Sequence, residues 1–179
     1  MRIVVVYESV FGNTHRIASA IEQGARQAAS TRLVSVGDQA SDDVADADVL
    51  VLGGPTHAFA MSTPGSRNEA VAWSRDPKRS LHLDGGEPAG GIREWLDGEI
   101  LLPPRFATFD TRAQSMRHLP GSAAKGADRQ LRSRGVTRLA PPTSFYVTSD
   151  NELLPGEEER ARAWGEQLAR ASIAPAAIR

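Results

Sequence analysis

Residues 2–14, Arg2-Ile3-Val4-Val5-Val6-Tyr7-Glu8-Ser9-Val10-Phe11-Gly12-Asn13-Thr14, decide the fold class. The run from Arg2 to Tyr7 is β-branched and apolar throughout, with no alternation of polar residues. A strand of that kind is buried on both faces, which places it inside a parallel sheet covered by helices. Directly after it, Asn13 to Ala29 carries Ile17, Ala20, Ile21, Gly24 and Ala28 at the spacing of a helix packed along one stripe. The chain therefore opens with a strand, a short polar turn and a helix.

The same alternation continues outward. Arg32 to Val36 reads as an edge strand, and Val49-Leu50-Val51-Leu52 as a second fully buried one, ended by Gly53-Gly54-Pro55. Arg105 to Asp110 and Ser144 to Thr148 supply two more. Between them, Ser66 and Glu69 have the spacing of a capping box ahead of Ala70, Val71 and Trp73. Ile92, Trp95 and Leu96 form a short helical pattern. Ser122 is placed to cap a helix that runs to Arg134 and stops at Gly135. A last helix begins near Pro155, sets Glu157, Glu158 and Glu159 at its positive end, and buries Ala161, Trp164 and Leu168. Strands alternating with helices predict a doubly wound α/β domain. No repeat or linker divides the chain, so residues 1–179 are expected to form one domain, with residues 84–91 as a surface loop.

Composition excludes several classes. With 179 residues, the chain is long enough to bury roughly 70% of its unfolded surface without staples. It has no cysteine, so disulfides, thiolate metal sites, iron–sulfur clusters and thiol nucleophiles are out. His15, His57, His82 and His118 are scattered without ligand spacing. A net charge of −1 gives no reason to expect nucleic acid, and no apolar run approaches the ~20 residues of a membrane span. A soluble cytoplasmic protein is the expectation. Residues 103–138 stand apart: eight cationic side chains face only Asp110 and Asp128, a local net of +6. That segment is either a solvated face or a docking surface.

In an open α/β sheet, ligands bind at the carboxyl ends of the strands. The turn Ser9-Val10-Phe11-Gly12-Asn13-Thr14 sits there, at a helix start, where backbone N–H groups and the helix dipole suit a phosphate without any lysine. It lacks the Gly-Lys-Ser/Thr of a nucleotide triphosphate loop and the three glycines of a dinucleotide fingerprint. Gly53-Gly54 stands where a receiver domain would carry an aspartate. Ser9 has no paired His and acid in a nucleophile elbow, so hydrolase chemistry is unsupported.

Ser-x-x-Gly-Asn-Thr at Ser9–Thr14 resembles the phosphate loop of flavodoxins. Gly53-Gly54-Pro55-Thr56-His57-Ala58-Phe59 is similar to their first flavin loop, and Phe106-Ala107-Thr108-Phe109-Asp110-Thr111-Arg112 occupies the position of the fourth strand and second flavin loop. The three occur in the correct order and span most of the chain. The resemblance implies a five-stranded parallel sheet of order 2-1-3-4-5 with helices on both faces, and FMN as cofactor. It implies that Ser9, Gly12, Asn13 and Thr14 hold the phosphate, with backbone N–H groups from Val10 and Phe11. Pro55, Thr56, His57, Ala58 and Phe59 would then line one side of the isoalloxazine, and Thr111 and Arg112 the other. Three departures stand out. Phe11 replaces a hydroxyl residue found in many flavodoxins, Phe59 is the one aromatic of the flavin loops, and the chain is nearly neutral where electron-carrying flavodoxins are acidic.

The function expected from this resemblance is electron transfer between a reductase and an acceptor, with docking through residues 103–138. The alternative is an FMN-dependent NAD(P)H or quinone reductase, for which residues 61–91 are the candidate substrate shelf. A flavin-free binding module is the third possibility, and the intact phosphate loop argues against it. The strand from Arg105 ends at Asp110, so Arg112 is expected in the loop bordering the flavin's pyrimidine edge, where its charge favours the reduced anion; the other reading pairs it with Asp110 or turns it to solvent.

Overall fold

Ile3 and Val5 leave the first strand on one side, Val4 and Val6 on the other, and all four are fully buried. That two-sided burial orders the whole molecule, seen here in a computed structural model that describes residues 1–36, 40–88 and 90–173. Strand β1 (Arg2–Tyr7) lies between β2 (Ser30–Ser35) and β3 (Val49–His57), parallel to both. Strand β3 pairs in parallel with β5 (Arg105–Ala113), after a short antiparallel return, β4 (Ala60–Met61). The outer edge of β5 is shared: β6 (Thr137–Arg138) pairs with its start and β7 (Thr143–Val147) with its end, both parallel. The parallel order is β2-β1-β3-β5, then β6 and β7 on the outer edge of β5; with the β4 return set aside this is the expected 2-1-3-4-5, its fifth position split in two.

Helices cover both faces. On one side α1 (Asn13–Ala25) packs with α6 (Glu157–Ile173) over Ile3, Val5, Val49, Val51, Phe109 and Phe145. Their axes come close because both carry glycine at the crossing: a Cβ on Gly24 would overlap the Arg162 carbonyl, and one on Gly165 the Ile21 carbonyl. On the other side α2 (Ala40–Ala45), α4 (Ile92–Asp97) and α5 (Ala123–Ser133) bury Val44, Leu96, Ala127 and Leu131 against Val4, Val6, Leu50, Leu52 and Phe106. Helix α3 (Pro64–Ser74) stands between β4 and α4 in sequence.

Several sequence expectations need correction. Strand β3 does not stop at Gly53 but continues to His57. Gly53 and Gly54 are there for packing and not for a turn, since a Cβ on Gly53 would overlap the Phe109 ring and one on Gly54 would come 2.9 Å from Ile92. Strand β5 likewise runs on to Ala113, so Arg112 belongs to the strand and pairs with Tyr146. The cap of α3 is Thr63, in a reciprocal capping box with Ser66; Ser66 sits at the third helical position, one turn later than expected. Helix α1 ends at Ala25, short of Ala29, and α2 carried no strong sequence signal. The Ser122 cap and the stop at Gly135, with φ of +81°, are as expected. Ala89, inside the tract 84–91, and residues 174–179 of the expected domain lie outside the described residues.

Candidate cofactor site

Two helices begin at the same edge of the sheet, and their first turns are treated differently. At α5 every early amide has an acceptor. Ala123 N–H donates to Thr56 Oγ1 at 2.9 Å, Ala124 N–H to the Asp110 carboxylate at 3.0 Å and Lys125 N–H to Ser122 Oγ at 3.3 Å. At α1 the N-cap is Gly12, left-handed at φ +89°, with no side chain to cap the helix. Gly12 N–H itself donates to Ser9 Oγ at 3.1 Å. Among the described residues, the N–H groups of Asn13, Thr14 and His15 have no acceptor. Unpaired first-turn amides at the positive end of a thirteen-residue helix form an anion-binding concavity.

A cleft of about 690 Å³ opens in front of those amides. Of the residues the sequence singled out, Val10, Phe11, Asn13, Thr14, Pro55, Thr56, His57, Ala58, Thr111 and Arg112 line it. Ser9, Gly12 and Phe59 do not. Ser9 shapes the loop by accepting from Gly12 N–H, and Phe59, 49% exposed, lines a separate groove. Thr14 Oγ1 lies 2.7 Å from Thr111 Oγ1, so these hydroxyls join α1 to β5. The Asn13 side-chain amide donates through Nδ2 to the backbone carbonyl and side-chain oxygen of Asn151, at 2.7 and 3.1 Å.

His57 is half-buried in the cleft wall, its Nε2 without a partner, and burial lowers its pKa so that the neutral ring persists below the usual histidine range. Arg112 is only 4% exposed. One Nη2 donates to the carbonyls of Met116 and Leu119, holding the turn at residues 114–119, while its Nε has no acceptor. Arg112 forms no ion pair among the described residues; the carboxyl of Asp110, pushed up by its own burial, feels the Arg112 charge as an opposing, lowering influence. A guanidinium buried without a bonded carboxylate at a cleft wall is unusual, because buried charges are normally paired.

Other residues reach the cleft too, one group from the 61–91 stretch expected as a substrate shelf and one that the sequence did not single out. Trp73, Lys78, Arg79, Ser80 and Leu81 line the cleft from the 61–91 segment, and Val147 to Asn151 from the end of β7. The first group is tied down where it meets the loop: Asp84 N–H donates to Val10 carbonyl at 2.9 Å and its carboxylate lies 3.2 Å from His15 Nδ1. The second group had a readable signal in Ser149-Asp150-Asn151, a polar turn at the carboxyl end of a strand. Five of the eight basic residues of 103–138 are engaged in separate places. Arg132 and Arg138 meet Asp128, Arg134 donates to the carbonyls of Leu96 and Ile100, Arg105 to that of Ser172, and Arg112 is buried.

No protein-family model matches the chain, and no match is found among curated proteins. Solved structures do match. A flavodoxin from the domain Archaea is 18% identical, with a TM-score of 0.64 over 97% of this chain and 100% of that one. Oxidised flavodoxin 2 from Bacillus cereus is 16% identical, with a TM-score of 0.63 over 95% and 99%. A flavodoxin described as WrbA-like, from Agrobacterium tumefaciens, is 18% identical, with a TM-score of 0.54 over 96% and 97%. The chain has the flavodoxin-like fold. No described helix is long and apolar enough to cross a membrane.

Proposed function

We propose that this chain binds FMN in the cleft and works as a redox flavoprotein, passing electrons between a reductase and an acceptor. The observation that carries the reading is the open first turn of α1 beside the fully capped first turn of α5. A terminal phosphate would lie on the free amides of Asn13, Thr14 and His15, with Val10 and Phe11 beside it. The flavin ring would lie between the Thr56–Ala58 segment and the Thr111–Arg112 end of β5. FMN supplies one- and two-electron chemistry, while the protein sets binding, potential and access. Arg112 contributes a positive charge screened from water, His57 a neutral ring, and Thr14 with Thr111 a rigid join between phosphate end and ring end.

A second reading, an FMN-dependent NAD(P)H or quinone reductase, is favoured by one observation: Trp73 and Lys78–Leu81 give the cleft an extra wall of the kind a substrate shelf needs. One experiment addresses both. Purified protein stripped of cofactor is titrated with FMN and followed by flavin absorbance and fluorescence, and the loaded protein is then mixed with NADPH or NADH without air. Saturable one-to-one uptake with no bleaching by either nucleotide is the expected result. Fast bleaching would establish the reductase, and absence of FMN uptake at any salt concentration would overturn both readings.

A further inference from the structure

The turn joining β3 to β4 is held against its backbone preference. Ala58 and Phe59 are both left-handed, at φ +43° and +68°, a conformation that side chains with a Cβ rarely adopt. Gly121 makes room for it, since a Cβ there would approach within 2.9 Å of Phe59 Cβ and overlap its carbonyl. With this geometry Phe59 lines not the cleft but a groove of about 530 Å³, together with Met61 and Pro120. The groove is also lined by Arg93, Lys125 and Arg129, and by no carboxylate.

Those three cations differ from most others in the chain. Arg67 meets Glu94, Arg132 meets Asp128 and Arg160 meets Glu157, whereas Arg93, Lys125 and Arg129 form no ion pair among the described residues. Arg93 and Lys125 donate to backbone carbonyls of Met61, Ser62 and Pro120, which aims them without neutralising them. An exposed aromatic ring set among unpaired cations, with methionine beneath, has the make-up of an interface centre.

We infer that this groove docks an acidic protein surface, whose apolar projection packs on Phe59 while its carboxylates meet Arg93, Lys125 and Arg129. Charge complementarity selects the partner: the groove holds three positive charges and no negative one, in a chain whose net charge is −1. The inference rests on the redox reading for the partner's role, a small acidic electron carrier. Ala58 and Phe59 are consecutive, one lining the cleft and the other the groove, so a docked partner sits against the wall of the cofactor site.

The test uses FMN-loaded protein and an acidic plant-type [2Fe–2S] ferredoxin as probe, titrated by calorimetry at low and at physiological salt. Binding should weaken by about tenfold or more as salt rises, and K125E/R129E should weaken it by about tenfold or more at low salt. F59A should weaken binding while leaving its salt dependence unchanged. Amide NMR shifts should gather at Phe59, Gly121, Lys125 and Arg129. No binding at low salt, binding indifferent to K125E/R129E, or equal binding of basic cytochrome c would overturn the inference. The calorimetry does not depend on flavin. Ferredoxin binding at the groove by a chain that takes up no FMN would therefore sink the redox reading alone.

Discussion

The hydroxyls of Thr14 and Thr111 lie 2.7 Å apart, buried where the first turn of α1 meets the far half of β5. Among the described residues, this is the one side-chain hydrogen bond between the first turn of α1, where a phosphate is proposed to lie, and β5. Replacing either residue by Val leaves the other hydroxyl buried and unpaired, which costs about 1–3 kcal/mol. The double variant T14V/T111V is expected to lose less than the sum of the singles in urea unfolding. Strict additivity would show that the two hydroxyls act independently.

Gly12 separates conformation from space. A Cβ there would meet nothing nearer than the Asp84 carboxyl carbon at 4.0 Å, yet its φ of +89° is left-handed. G12A is therefore expected to cost about 1–2 kcal/mol through backbone strain alone, and to weaken FMN uptake by turning the α1 amides. Thermal unfolding and flavin titration of the same variant check the two effects. Unchanged stability would mean that the loop relaxes out of the left-handed region.

Glu8, at the end of β1, is 1% exposed, accepts from Ile92 N–H at 3.0 Å, and leaves Oε1 without a partner. Burial raises its pKa above the ordinary value of 4.5, against the lowering effects of Ser62, Ile92 N–H and Arg67. The folded protein thus holds a proton that the unfolded chain has already released, so this group's contribution to stability is lost as pH rises through the folded pKa. E8Q keeps an acceptor for Ile92 without the charge. Its thermal midpoint should match the wild type in acid and exceed it increasingly as pH rises. A constant offset across pH 4 to 8 would exclude Glu8 as the titrating group.

Arg112 offers a redox test. Its guanidinium is buried, so the positive charge acts on a bound flavin with little screening, and it favours the negative charge that a reduced flavin carries. R112A should lower the FMN midpoint by tens of millivolts, since ~1.4 kcal/mol corresponds to ~30 mV for a two-electron couple. R112K keeps the charge but not the planar hold on two carbonyls, and should retain most of the potential. An unchanged midpoint in R112A, with FMN still bound, would leave Arg112 a clamp for the turn at 114–119.

Much of this architecture was legible because burial on two faces leaves an unmistakable run of β-branched residues, as in Ile3–Val6 and Val49–Leu52. The loop Ser9–Thr14 was legible because a helix start with a left-handed glycine needs few other residue types. What misled were residues whose role is set from outside their own segment. Gly53 and Gly54 look like strand breakers, but they are small because Phe109 and Ile92 press on them. Arg112 looks like a loop residue until its carbonyl partners, at Met116 and Leu119, are known. Phe59 sits inside a flavin-loop pattern, yet two left-handed residues turn it away from the cleft. Lys78–Leu81 reach the site from a loop with no periodicity to read.

The glycine crossing of α1 and α6 sets a timetable for the protein's birth. The amides proposed to receive a phosphate are synthesised well before Gly165, but the helix that carries them is clasped, backbone to backbone, by the one formed around that glycine. The cleft further draws its walls from residues as far apart as Val10 and Asn151. A nascent chain can therefore possess the loop Ser9–Thr14 long before it possesses the cleft, and FMN uptake of the kind proposed should wait until synthesis has passed residue 165. Premature chains that stall before that point would compete for no flavin.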